Sequence, residues 1–486
     1  MQLYPVVPEP AGPITNESMI MAKTPPKIEL PRKPKYQKIT DDCDYFELFK
    51  KIEKQFDACF ILESLGEESY VSRHTIIGFD PEKVLYAQGQ KLYIEDKSGQ
   101  VEAYESDNPY YLLREIMPQN ILARQYVGGL TGYIGYDAMG YFEPSLKLKN
   151  SEYFDAFRFG LYKDGLIYDK MTGELTYFYY HNSRIDLVRQ LLEQPYAGDG
   201  ELQVIPEGQT MTREQHAAAV LKVKQDIVDG KIFQCEVGFK KRFKLIGDSI
   251  NIYQRMREIN PSPQMFYLKF GDQKLISASP ELLFRVRQGE METFPLAGTT
   301  RRGATAQEDV QLARTLLNDP KEIAEHNMLV DLHRNDIGRV ARFGTVKVRN
   351  LMDIKRYSHV QHISSEIVGI MAESEDMFSA LASNFPAGTL TGAPKIEAMK
   401  IIDDLETDGR GPYGGAVGHF SFNGDCTFAI PIRTIFANGE NAYVQTCGGN
   451  VYDSNPADEY LEIQRKFAGT RSALEPYVPD QYKESL

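Results

Sequence analysis

Residues 318–332 read NDPKEIAEHNMLVDL, and the spacing predicts a helix with Glu325 on the same stripe as Met328, Leu329 and Leu332, where a packed helix carries apolar side chains. An ionised carboxylate left unpaired on that stripe costs several kcal/mol, so the fold must set a balancing charge against it. Asp319 as N-cap, Pro320 at the first helical position and Glu322 two residues later mark the helix start and give Glu322 the alternative role of a capping-box acid. A second helix, opening at Asn455-Pro456, carries Glu459 and Glu462 at i, i+3. Acids from two helices facing one cleft form a site for a hard divalent cation such as magnesium. Glu462 also has a simpler reading, the i, i+4 ion pair with Lys466.

The length of 486 residues allows about three domains, or one large body with a smaller companion. The net charge of −13 comes without any block of Lys or Arg, which argues against nucleic acid or an anionic membrane as the main partner and for a small substrate. Cys43, Cys59, Cys235, Cys426 and Cys447 are scattered, without CxxC spacing, as expected of reduced thiols. The first residues lack the basic start and apolar run of a signal peptide, and no segment approaches membrane-spanning length, so a cytoplasmic protein is expected.

The sequence predicts a mixed α/β fold. Residues 1–38 read as a Pro-rich extension, 39–208 as an N-terminal domain, 209–475 as a second domain and 476–486 as a tail. Within the first domain, 125–136 (QYVGGLTGYIGY) reads as a buried strand pair. In the second, helices are expected at about 212–229, 319–333, 376–383, 394–405 and 456–472. A hairpin is expected over 429–436 and 441–446, turning near Asn438-Gly439.

Several residues carry candidate chemistry. Cys447-Gly448-Gly449 can expose successive backbone N–H groups to an anion such as a carboxylate. Arg433, placed by alternation on one strand face with Ile435, has the fork geometry for the same group, and Tyr413 in GPYGG can add a hydroxyl donor. Glu281, after Ser279-Pro280 at an expected strand-to-helix corner, reads either as a helix-start acid or as a general acid. His362 alternates with Val360 along a strand and reads either as a core histidine or as a catalytic one.

With these residues in place, the sequence resembles the chorismate-utilising enzymes, and among them the large subunits of anthranilate synthase. The resemblance rests on IFQ at 232–234, NPSPQMFYL at 260–268, SASPELL at 277–283, PLAGTTRRG at 295–303, KEIAEHNMLVDLHRND at 321–336, FPAGTLTGAPK at 385–395, GPYGGAVGHFSF at 411–422 and DEYLEIQRK at 458–466. FILES at 60–64 and GGLTGYIGYD at 128–137 extend it more loosely toward the N-terminus. It implies a sandwich of β-sheets flanked by helices, with the active-site cleft in the C-terminal domain.

The resemblance also implies the reaction. Members that add water use a lysine base where this chain has Gln234, and aminodeoxychorismate synthases use a lysine where it has Ala297. Gln234 with Ala297 implies direct amination of chorismate by ammonia, then loss of pyruvate to give anthranilate. By the same carry-over, Glu325 and Glu462 bind Mg²⁺ with Glu322 and Glu459 nearby, Glu281 protonates the departing hydroxyl, and His362 acts in the elimination. Arg433 and Tyr413 hold the enolpyruvyl carboxylate, and Gly298, Thr299, Gly448 and Gly449 line the substrate, with Cys447 and Lys466 beside them. A glutamine amidotransferase subunit supplies the ammonia, and L-tryptophan feeds back through Glu63, Ser64, Asn260, Pro261, Ser262 and Met265. The alternatives are an aminodeoxychorismate synthase component and a paralogue that senses chorismate or tryptophan without turnover. The chain departs from the family pattern at CEVGFKKRF after Gln234, at Gln264, and at CGGN over 447–450.

Overall fold

The computed structural model describes residues 24–39, 43–66, 73–118, 120–356 and 360–485. Among them, two twelve-stranded sheets carry the architecture. Each is built from both halves of the chain. In the first sheet, Ala58–Glu63 pairs antiparallel with Gln264–Phe270, with Met265 opposite Glu63; in the second, Gly129–Ile134 pairs antiparallel with Ala416–Ser421. The division expected at 208/209 therefore does not separate one sheet from the other.

A buried apolar layer joins the two sheets, drawing Phe60, Phe266, Leu275 and Phe436 from the first and Leu85, Leu130, Phe159, Phe284 and Phe420 from the second. The other face of the first sheet is covered by Tyr45–Gln55, Ile185–Glu193, Ile250–Ile259 and Pro456–Leu474. The helices Arg213–Val228 and Lys395–Leu405 bury Val223, Ala398 and Ile402 against Cys235 and Val237 of the strand Gln234–Gly247.

The five expected helices form as Arg213–Val228, Pro320–Gly338, Met377–Asn384, Lys395–Leu405 and Pro456–Leu474. Asp319 caps the Pro320 helix, accepting from the N–H groups of Lys321 and Glu322. The return half of the capping box is absent because the Asp319 N–H already donates to the Leu316 carbonyl, which leaves the Glu322 carboxylate free of the cap.

Three local expectations change. Residues 125–136 give one strand, Gly129–Ile134, followed by a short 3₁₀ turn, Tyr136–Tyr141, rather than two strands. The extension assigned to 1–38 ends in structure, because Lys35–Ile39 is an edge strand paired with Glu174–Tyr179. The hairpin joins Thr434–Asn438 to Asn441–Asn450 through Gly439-Glu440, and Ala429 belongs instead to Cys426–Ala429 in the other sheet. Residues 430–433 thus form a crossover between sheets, and Arg433 lies on it with φ +52° rather than on a strand face with Ile435.

Candidate active site

Two crossovers between the sheets lie side by side and carry charged groups. The first joins Gln273–Ser279 to Leu282–Arg287 and holds Glu281. Glu281 therefore stands at a strand-to-strand corner, and the helix-start role has no helix to serve. The second is 430–433; Ile430 N–H donates to the Glu281 carbonyl at 3.0 Å and Ser279 Oγ donates to the Ile430 carbonyl at 2.7 Å. Glu281 is buried, its Oε1 accepts from Thr389 Oγ1 at 2.9 Å, and burial pushes its carboxyl up to about 7. A group so tuned holds its proton near neutral pH, as a general acid requires. Arg433 is half-buried, no carboxylate pairs with it among the described residues, and burial lowers its pKa. A guanidinium in that state is a ready partner for a substrate carboxylate.

Beside the crossovers, Gln234–Gly247 pairs with Asn441–Asn450, so that Glu236 faces Gly449 and Gly238 faces Cys447. Gln234 Nε2 donates to Glu236 Oε1 at 3.0 Å, and the Cys447 thiol donates to Glu236 Oε2 at 3.4 Å. The Tyr413 hydroxyl donates to Cys447 Sγ at 3.1 Å, so its hydroxyl is already engaged there. Lys466 reaches the Cys447 carbonyl at 2.9 Å and Glu462 at 2.8 Å. Gly448 faces the Pro456–Leu474 helix, with the place of a Cβ 3.4 Å from Glu459 Oε2.

The two acidic helices meet this strand pair. Burial raises the carboxyl pKa of Glu322, Glu325 and Glu459; Asp319 adds to it at Glu322 and Glu322 at Glu325, a hydrogen bond with Ser454 opposes it at Glu459, and the Glu462 charge raises all three. Glu462 itself is exposed and forms the simple i, i+4 pair with Lys466. As placed, no three His, Cys, Asp or Glu side chains among the described residues converge closely enough to hold an ion. Glu322 reaches toward Gly298, where a Cβ would lie 2.9 Å from its Oε2.

Gly298 is a bulge residue with φ +63° in the strand Leu296–Arg301. Its carbonyl faces His362 Nδ1 at 3.1 Å, with Thr299 Oγ1 at 3.0 Å from the same atom. Because a carbonyl can only accept, this bond puts the imidazole proton on Nδ1 and the lone pair on Nε2. Burial lowers the His362 pKa, with the Arg433 charge adding to the effect.

A cavity of about 620 Å³ opens elsewhere between the sheets, lined in part by Glu63, Ser64, Gln264, Met265, Arg285 and His419. Ser64 Oγ is buried without a hydrogen-bond partner. Glu63 lends the wall little charge, since its carboxylate is taken by Arg257 at 2.8 Å and by the hydroxyls of Tyr45 and Tyr253. Pro263 lines the cavity; Asn260, Pro261 and Ser262 do not, and the Ser262 carbonyl accepts from Leu65 N–H instead.

Sequence reasoning passed over two groups at the centre of the site, Thr389 and Glu236. Thr389 lay in FPAGTLTGAPK without a role. Glu236 had a signal, since Gln234, Glu236 and Lys240 place polar groups on one face of a strand that is buried throughout its first seven residues.

The family model described as chorismate binding enzyme matches residues 57–472. The chain is 51% identical over 464 residues to anthranilate synthase component 1 of Leptospira biflexa, covering 94% of this chain and 99% of that protein. It is 40% identical over 430 residues to anthranilate synthase component 1 of Methanothermobacter thermautotrophicus, covering 88% and 92%. The crystal structure of anthranilate synthase component I from Streptococcus pneumoniae superposes with a TM-score of 0.73 at 31% identity, covering 83% of this chain and 94% of that one. The menaquinone-specific isochorismate synthase of Escherichia coli, at 18% identity and a TM-score of 0.69, shares the fold. With most of its length matched and two acidic helices, a buried acid and an unpaired arginine gathered about one strand pair, the chain belongs to the chorismate binding enzyme family.

Proposed function

We propose that the chain is the large component of an anthranilate synthase, adding ammonia to chorismate and releasing pyruvate and water to give anthranilate. The observation that carries the choice of reaction is the neutral amide of Gln234 at the start of the buried strand, where a base would be needed to activate water. Ammonia needs no such base. In this reading Arg433 holds the enolpyruvyl carboxylate, with Tyr413 and Lys466 beside it, and the backbone of Gly298, Thr299, Cys447, Gly448 and Gly449 shapes the floor. Glu281, protonated near neutral pH, gives its proton to the departing hydroxyl. His362 Nε2 takes the ring proton as pyruvate leaves.

Glu325 and Glu462, with Glu322 and Glu459 directly or through water, would hold Mg²⁺. The donor set fits: all four are hard oxygen ligands, Glu462 repels Glu322 and Glu325 across the two helices and Glu459 along its own, and magnesium keeps several waters, so the carboxylates need not converge on it. Bound there, the ion would neutralise the ring carboxylate. The cavity between the sheets is the proposed site for L-tryptophan, with the unsatisfied Ser64 hydroxyl as one contact. Ammonia would come from a separate glutamine amidotransferase subunit. Among the described residues no helix is long and apolar enough to cross a membrane, and a cytoplasmic enzyme is proposed.

Incubating the chain with chorismate, Mg²⁺ and ammonium chloride at alkaline pH tests the activity. Fluorescent anthranilate is the expected product; a non-aromatic amino product or no turnover would refute the reading.

A further inference from the structure

Glu236 is an anomaly in its surroundings. It is buried, among the described residues it forms no ion pair, and Lys466, the cation whose charge bears on it, is bonded instead to Glu462 and the Cys447 carbonyl. A buried carboxylate without an ion pair is costly. Its two oxygens are instead fixed by Gln234 Nε2 and Cys447 Sγ, the latter held in turn by Tyr413. Space for the arrangement comes from Gly449, where a Cβ would lie 2.5 Å from Glu236 Oε1 and 2.9 Å from Gln234 Nε2.

We infer that Glu236 is a positioning residue for the nucleophile, holding the Gln234 amide so that its nitrogen faces the carboxylate and its carbonyl oxygen faces incoming ammonia. The inference rests on the anthranilate-forming reading above. An ionised carboxylate can only accept, so the amide must turn its NH₂ toward Glu236. That leaves Gln234 Oε1, to which no described group donates and which is not among the sealed unsatisfied atoms. Ammonia donating an N–H to this oxygen keeps its lone pair directed away from the protein. Water held in the same way would still need a base, and both oxygens of Glu236 are already engaged.

The arrangement depends on ionisation of Glu236. Burial pushes its carboxyl up to about 7; Glu325 of the Pro320–Gly338 helix raises it further and Lys466 of the Pro456–Leu474 helix lowers it. Its charge also reaches Glu281 on the crossover and the buried thiol of Cys235, and the Arg410 guanidinium donates to its main-chain carbonyl. Once protonated, Glu236 can donate to the Gln234 carbonyl and turn the amide round. The KM for free ammonia should therefore rise as pH falls below about 7.

Steady-state kinetics with ammonium chloride test the inference on the wild type, Glu236→Leu and Glu236→Gln, with thermal unfolding as the control for folding. Glu236→Leu should raise the KM for ammonia about tenfold or more while the KM for chorismate stays within about threefold, as for loss of one orienting hydrogen bond. Glu236→Gln, nearly isosteric, should keep part of the affinity and lose the rise in ammonia KM at low pH. An ammonia KM unchanged in Glu236→Leu, or both KM values rising together, overturns the inference. Should Glu236→Leu not fold, the low-pH rise persisting in Glu236→Gln overturns it alone. A wild type that makes no anthranilate sinks the functional reading and this inference together, whereas an active wild type with indifferent variants sinks this inference only.

Discussion

Glu281 draws its proposed role from burial, with Thr389 as its one side-chain donor among the described residues. The free enzyme should accordingly show a descending limb in kcat/KM for chorismate above about 7, where the acid form is lost. Glu281→Gln should lower kcat by roughly 10²–10⁴-fold and abolish that limb, as measured by anthranilate fluorescence across pH. Stability moves the other way. The folded pKa is raised from 4.5 to about 7, so ionisation opposes folding as pH climbs between those values, and the penalty is complete above about 7. In chelator at pH 8, Glu281→Gln should therefore unfold at a higher temperature than the wild type, with a gain on the order of 3 kcal/mol. Arg433→Ala should raise the KM for chorismate by roughly 10–100-fold, the range for losing a charge-assisted pair, and leave the KM for ammonia little changed. At this scale the sequence offered Glu281 only as one of two readings of the Ser279-Pro280 corner. It set Glu325 on a stripe with Met328, Leu329 and Leu332, whereas the buried face runs through His326, Leu329, Val330 and His333 and leaves Glu325 half-buried beside it. It hid the orientation of Gln234, because that is set by Glu236, Cys447 and Tyr413, which meet only across two strands and a loop.

The helices were the most legible elements, since capping residues and apolar spacing are local. Pro320–Gly338 begins where Asp319-Pro320 says it should and runs past the expected 333 because the buried stripe continues through His333, Asp336 and Ile337. The strands around Ala429 and Thr434 were less legible, because a chain switching sheets keeps its apolar composition through the switch; Pro431 and the left-handed Arg433 are its marks. The two acidic helices carry a prediction of their own. Partial burial, with repulsion from Glu322 and Glu462 added, raises the folded pKa of Glu325, so its charge opposes folding above the ordinary carboxyl range. In chelator at pH 8, Glu325→Gln should raise the unfolding temperature. Adding Mg²⁺ should raise that of the wild type through linkage and that of the variant much less. A wild type indifferent to Mg²⁺ in this melt would refute the proposed ligand set without reference to turnover.

At the level of the whole molecule, the density of motifs after residue 209 suggests two domains in series, and the pairing of the sheets shows why that reading falls short. Antiparallel contacts such as Met265 with Glu63 join positions far apart in sequence, and nothing local in either strand names its partner. That interleaving gives the cavity between the sheets a route to the chemistry. Gln264 and Met265 line the cavity and pair with Ser279 and Ala278, while Leu282 and Arg285 line it on the far side of Glu281. A ligand pressing on that wall bears on the segment that carries the acid, so tryptophan binding there should lower kcat as well as affinity for chorismate. The chain contains no tryptophan of its own, so the fluorescence of added L-tryptophan, excited where tyrosine does not absorb, reports its binding directly. Leu and Met differ in shape but not in polarity, and Met265→Leu should leave the fold intact. A bulky Ser64→Phe should fill the cavity, abolish the fluorescence change and leave anthranilate synthesis resistant to tryptophan. Retained inhibition in Ser64→Phe would place the regulatory site elsewhere.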